Sequence, residues 1–256
     1  MVYQAATRSE GHSRQLVLAD GKHSAQDERD AIGLLLELRC EAIMIYPKYL
    51  SVSELDDIID GNQTPIVVIN RELIRNRNRC VFTDHRRSSE EMVEHLLAQG
   101  HTRIAFVAGV CGSPTGERRL RGYRDALRKA GISPDPQLVV RGAWSTESGY
   151  EAGRQLLALN VPFTCVLAAN DDMAIGLAKA FQDAGKTVPG EISLAGFDDS
   201  VIGKYYTPSL TTIHVPMDEM IRDAVEIVLH PDEKTVFSHQ GTLVSRESVA
   251  RRVNAE

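Results

Sequence analysis

What the chain lacks narrows its possible functions first. Cysteine is sparse: Cys40, Cys80, Cys111 and Cys165 form no C-x-x-C pair and no zinc spacing. They therefore read as reduced, mostly buried thiols of a cytoplasmic protein rather than as a disulfide framework. No apolar run approaches the ~20 residues a membrane span needs. Residues 1–14 are polar, with Arg8 and Arg14, and lack the apolar core of a secretory signal. Clustered basic charge is missing too. The net charge is −6, and Arg86-Arg87, Arg118-Arg119 and Arg251-Arg252 are pairs, not a stripe. The chain alone is not expected to grip DNA.

Enzyme signatures are equally scarce. There is no G-x-S-x-G, no Walker loop and no G-x-G-x-x-G after a strand. Gly109-Val110-Cys111-Gly112 has the glycine content of a phosphate loop without its lysine. Nothing positions a histidine as base for Cys111. His95 and His101 stand six apart with no third ligand nearby, so neither metal nor cofactor is expected. Low-complexity tracts and solenoid periods are absent.

What remains is a chain of ordinary globular composition, 43% hydrophobic and 25% charged. Short apolar runs predict strands at 15–19, 42–45, 65–69, 80–83, 103–108, 138–141, 165–169, 192–197, 210–214 and 243–245. Helical spacing predicts helices at 3–11, 24–38, 51–60, 84–99, 115–130, 145–159, 173–184 and 216–230. Gly100, Gly131 and Gly185 serve as helix stops and Asn170 as an N-cap. The alternation is that of βαβ units, which build parallel sheets. The strands exceed what one twisted open sheet holds comfortably, so two Rossmann-like α/β lobes are expected.

In open parallel sheets, ligands sit beyond the carboxyl ends of the strands. The polar residues there are Asn70, Asp84, Trp144, Asn170 and Asp198, with Arg119 in the first turns of helix 115–130. Carboxylates and amides pair with adjacent hydroxyls, arginine supplies a rigid fork of donors, and an indole face covers the apolar side of a pyranose. The set suits a sugar. Each member also has a plainer reading. Asn170 and Asp84 would serve as helix caps, Asp198-Asp199 as a solvated turn, Trp144 as packing, and Arg119 as one of several arginines on a surface helix.

Several stretches resemble the LacI/GalR transcription regulators. They are Gly100-His101-Thr102-Arg103-Ile104-Ala105-Phe106-Val107-Ala108-Gly109, Arg119-Leu120-Arg121-Gly122-Tyr123, Asn170-Asp171-Asp172-Met173-Ala174, Gly196-Phe197-Asp198-Asp199 and Pro208-Ser209-Leu210-Thr211-Thr212. The match runs in order along essentially the whole chain. The resemblance implies a periplasmic-binding-protein-like fold of two lobes with parallel sheets joined by three crossovers. The lobes would be 1–83 plus 214–237 and 84–213 plus 238–256. It places sugar contacts on Asn70, Trp144, Asn170, Arg119 and Asp198, leaves Tyr46 without a clear polar contact, and makes Asp84 doubtful, since Asp84-His85 stands where Asp-Asn is common. It also implies a homodimer that reaches operator DNA through a helix-turn-helix headpiece. That headpiece is absent from the sequence, as is the family's first strand, so the chain is expected to be truncated. Leu34, Leu38, Ile221 and Val225 are candidates for a dimer face or, equally, for covering the sheet. The expected function is the effector-sensing and dimerisation domain of a sugar-responsive repressor. The rivals are a transport-type periplasmic sugar-binding protein, for which a strict monomer would speak, and a doubly wound α/β enzyme, for which turnover would.

Overall fold

The computed structural model describes residues 2–252 other than His23, Asn160, Pro231, Asp232 and Lys234. Met1 and residues 253–256, the outer ends of the two expected lobes, lie outside the described residues. The chain divides into two compact α/β units, Met1–Thr83 with Pro216–His239, and Asp84–Val215 with Gln240–Glu256. The second and third changeovers fall two residues later than expected. The third shift has a local cause: Phe237 to His239 form a ladder with residues 81–83 of the first unit, which ties them to it.

In chain order the first unit carries α1 (Val2–Gly11), α2 (Ala25–Glu37), β1 (Ile43–Ile45), α3 (Val52–Asp60), β2 (Ile66–Ile69) and β3 (Cys80–Thr83). The second carries α4 (His85–Ala98), β4 (Ile104–Ala108), α5 (Pro114–Lys129), β5 (Val139–Arg141), α6 (Thr146–Ala158), β6 (Cys165–Ala168), α7 (Asp171–Asp183), β7 (Ser193–Ala195), α8 (Val201–Tyr205) and β8 (Thr212–His214). Then α9 (Met217–Leu229) and β9 (Phe237–His239) return to the first unit, and β10 (Thr242–Val244) belongs to the second.

The first unit's sheet is parallel, in the order β1-β2-β3-β9. Every residue of β2 and β3 is buried, as expected for strands covered on both faces. Its helices start where the sequence offers caps. Ser24 accepts from the Asp27 amide, and Ser51 with Glu54 forms a reciprocal capping box. Residues 15–19, expected as a strand, take no regular secondary structure and join no ladder among the described residues. A strand needs a neighbour to share hydrogen bonds, which an apolar run alone does not provide. Leu16, Val17 and Leu18 instead border a cavity of about 970 Å³, whose lining also includes Ile43, Met44, Ile221 and Val225. Ile221 and Val225 are buried, on the helix that packs over β2 and β3. They cover the sheet and are not available as a dimer face, whereas Leu34 (50% exposed) and Leu38 (56%) are open.

The second unit's sheet is also parallel, in the order β5-β4-β6-β7, and β8 pairs antiparallel with β10. Its core runs through Phe106, Tyr123, Leu167, Phe181 and Phe197. Gly100, Gly131 and Gly185 take positive φ just beyond α4, α5 and α7, the left-handed stop that a residue without Cβ adopts freely. α6 and α7 lie in close contact because Gly149 and Gly176 present bare backbone. A Cβ on Gly176 would come within 2.0 Å of the Thr146 carbonyl oxygen.

Candidate functional site

The carboxyl ends of β4, β6 and β7 lie side by side in the second unit, since β6 is hydrogen-bonded to both of its neighbours. The chain leaves β6 through Ala169 and enters α7 at Asn170. The Asn170 Oδ1 accepts from the Met173 amide at 3.0 Å, and its Nδ2 donates to the Trp144 carbonyl at 3.0 Å. Asn170 is thus a cap, yet its amide retains a second N–H and further lone pairs. Cap and contact roles are compatible at this residue.

Arg119 lies on the inward face of α5 and is only 3% exposed. Its guanidinium is held from several directions. One Nη donates to the Ala169 carbonyl, the other donates to Asp198 Oδ1 at 3.0 Å, and Nε points at His85 Nδ1 at 3.4 Å. The cation also sits 4.3 Å from the centre of the Phe197 ring, a favourable arrangement with the face of an aromatic. A cation so far from water needs compensation, and Asp198 supplies the counter-charge. The Asp198 side chain is itself 47% exposed, so much of its carboxylate remains open.

Asp198 ends the β7 segment in a strained turn. Asp198 and Asp199 have φ of 103° and 53°, values an L-residue takes only where its surroundings over-determine them. Asp199 turns away from Asp198 to Arg246 and His214. Its burial, which would raise its pKa, is outweighed by those partners, and its carboxyl titrates below the usual range. Asp172 shifts the other way, raised by burial and then by the Asp198 charge.

Trp144 also has positive φ, 66°. Its ring is half-buried and lies over Gly109 and Gly116, where added methyl groups would collide with it at 2.1 and 3.2 Å. The packing role foreseen for Trp144 is therefore real, and it places the indole at the same rim. Arg119, Asp198 and Asn170, with Trp144 hydrogen-bonded to Asn170, come together within one unit. Asn70 is in the other unit. There it has φ 64°, and its Nδ2 donates to the Tyr46 hydroxyl at 2.8 Å. Asp84 is the N-cap of α4, accepting from the Arg87 amide.

Sequence reading missed two groups. His85 is buried against Arg119, and burial together with the neighbouring Arg119 and Arg118 charges holds its pKa well below the ordinary imidazole value. It is a neutral acceptor for Arg119. Tyr46 is the partner of Asn70. Neither was visible in a local pattern, because the residues they touch lie 34 and 24 positions away. Among the described residues no cluster of histidine, cysteine and carboxylates could hold a metal ion, and no helix is long and apolar enough to cross a membrane.

Comparison with known proteins identifies relatives. The periplasmic binding protein-like domain family matches residues 93–251. The transcriptional regulator AscG of Escherichia coli K12 is 44% identical over 253 residues, covering 97% of this chain and 75% of that protein. GalR of the same organism is 38% identical over 243 residues, covering 92% and 70%. Among solved structures, a sugar-binding LacI-family regulator from Escherichia coli in complex with phosphate aligns with a TM-score of 0.90 at 42% identity, covering 98% of this chain and 92% of that one. A dimeric Lac repressor aligns at 0.89 with 26% identity, covering 98% and 93%. The two parallel-sheet units, the capped strand ends and these relatives lead to one conclusion: the chain belongs to the LacI/GalR family of transcriptional regulators and carries their periplasmic-binding-protein-like effector-binding fold.

Proposed function

We propose that the chain is the effector-sensing domain of a repressor, and that its effector is a small sugar or glycoside bound at the rim formed by Arg119, Asp198, Asn170 and Trp144. Asn70 of the first unit is retained as a proposed contact. The observation that carries the reading is the Arg119–Asp198 pair. A buried guanidinium, fixed by a backbone carbonyl and His85, meets a half-open carboxylate at 3.0 Å. Such a pair offers donors and acceptors side by side, the pattern that vicinal hydroxyls satisfy. Trp144 adds an apolar face. A β-glucoside of the arbutin, salicin or cellobiose kind is the proposed class. A cellobiose complex of the regulator CelR, 27% identical, shares the fold at a TM-score of 0.83.

A sugar can act as an effector only if it binds one functional state better than the other. We place the chain in a cytoplasmic homodimer whose operator contact comes from a separate headpiece. The transport and enzyme readings draw no support from the relatives, which are named as regulators.

Calorimetric titration of the chain with cellobiose, salicin and arbutin tests the proposal. Charge-assisted hydrogen bonds contribute about 1.5–3 kcal/mol each. Arg119→Ala and Asp198→Ala should therefore each weaken binding by roughly tenfold or more. Equal affinities for parent and both variants would remove the site.

A further inference from the structure

The Asp198 turn is strained and half-open, so something must hold it. Asp171, the first residue of α7, is 1% exposed and reaches the turn from behind. Its Oδ2 accepts from the Ser200 amide at 2.7 Å, and its Oδ1 accepts from the Thr212 hydroxyl at 2.7 Å. Its own amide donates to the Phe197 carbonyl at 2.7 Å. The carboxylate lies against Gly196, where an added Cβ would come within 2.3 Å of Oδ1. Asp171 therefore ties both ends of the turn that displays Asp198, and ties it to β8.

We propose that Asp171 is the positioning residue for Asp198, and that its ionised form is the one that holds the turn in the ligand-competent shape. This rests on the reading of the Arg119–Asp198 rim as the sugar site. Both oxygens accept from donors, an arrangement complete for a carboxylate; a proton added on Oδ1 would have to go to the Thr212 oxygen, and the Thr212 hydroxyl would then lose Asp171 as its acceptor. The charged or titratable residues on the elements packed around it include Asp172, Asp198, Asp199, His214, Arg246, Lys204 and Tyr205. Arg246 and His214 are engaged by Asp199, and among the described residues no cation pairs with Asp171 itself. Burial first, and then the Asp198 charge, push its carboxyl up to about 7 against the opposing pull of Ser200 and Thr212. Proton loss near neutrality thus completes the clasp. A sugar that engages Asp198 disperses that charge and favours the ionised Asp171, so binding releases a proton.

The test uses cellobiose as probe, with the parent, Asp171→Asn and Asp171→Ala compared from pH 6 to pH 8. One linked proton should tighten the parent's binding by about three- to tenfold across that range. Asn is the neutral counterpart of the protonated acid: its oxygen keeps the Ser200 hydrogen bond, but its Nδ2 can only donate to Thr212, whose hydroxyl then loses its acceptor. The Asn variant should bind with little dependence on pH, and the Ala variant weakly throughout. A parent-like pH slope in Asp171→Asn, or parent-like affinity in Asp171→Ala, overturns the proposal. Amide hydrogen exchange at 197–203 without sugar separates this from the functional reading. Faster exchange in Asp171→Ala supports the clasp, and unchanged exchange overturns it whether or not cellobiose binds. Absence of cellobiose binding by the parent at every pH overturns the coupling to ligand, and the sugar-site reading falls with it if salicin and arbutin also fail.

Discussion

Arg119 and His85 form an unusual pair for a protein interior: a cation and an imidazole in contact, both buried. The imidazole must stay neutral, because its proton would sit beside the guanidinium in a poorly solvated place. The unfolded chain takes up a proton at His85 near pH 6.5, and the folded chain does so only well below that. The stability His85 contributes is therefore present above pH 6.5 and lost as pH falls below it, at up to about 1.4 kcal/mol per pH unit. Asp171 runs the other way: burial makes its ionisation costly to the fold despite the Ser200 and Thr212 hydrogen bonds, so stability falls as pH rises toward about 7. Replacing His85 by Asn should flatten the acid limb of stability between pH 6.5 and 5 by about 1–2 kcal/mol, read from urea unfolding at each pH. Parallel curves for parent and variant would show that His85 is protonated in the folded chain.

Elements in the second unit are fixed by how closely backbones approach. α6 meets α7 through Gly149 and Gly176, and the latter has the Thr146 carbonyl and the Tyr150 amide within 2.6 Å of any added Cβ. Because both obstacles are backbone, Gly176→Ala should force the helices apart and cost about 1–3 kcal/mol. The melting temperature would fall by several degrees, as followed by circular dichroism. An unchanged melting temperature would mean that the contact is softer than the geometry requires. At this scale much of the fold was legible, because caps and stops are local. Ser51, Asn170 and Gly185 mark element ends whatever the rest of the chain does. Residues 15–19 show the limit. Their apolar run is strand-like, but ladder membership depends on a neighbour that periodicity cannot supply. The candidate site was half legible for the same reason. Strand ends placed Asp198 and Asn170, whereas positive φ at Asp198 and Trp144 and the burial of His85 arise only from long-range packing.

At the scale of the whole molecule, family membership and local chemistry point the same way. A chain of net charge −6 without a basic stripe is suited to reading a small ligand, and its relatives are regulators of transcription. The central claim is that a sugar binds at the rim of the second unit. The sequence supplies its own reporter, because Trp144 is the single tryptophan of the chain. Titrating cellobiose and salicin while recording tryptophan emission tests the claim most directly. A sugar at the rim should produce a saturable change in the Trp144 spectrum, with a midpoint at least tenfold higher in Asp198→Ala. Sugar binding detected by calorimetry with no change in Trp144 emission, or with a midpoint indifferent to Asp198, would contradict it.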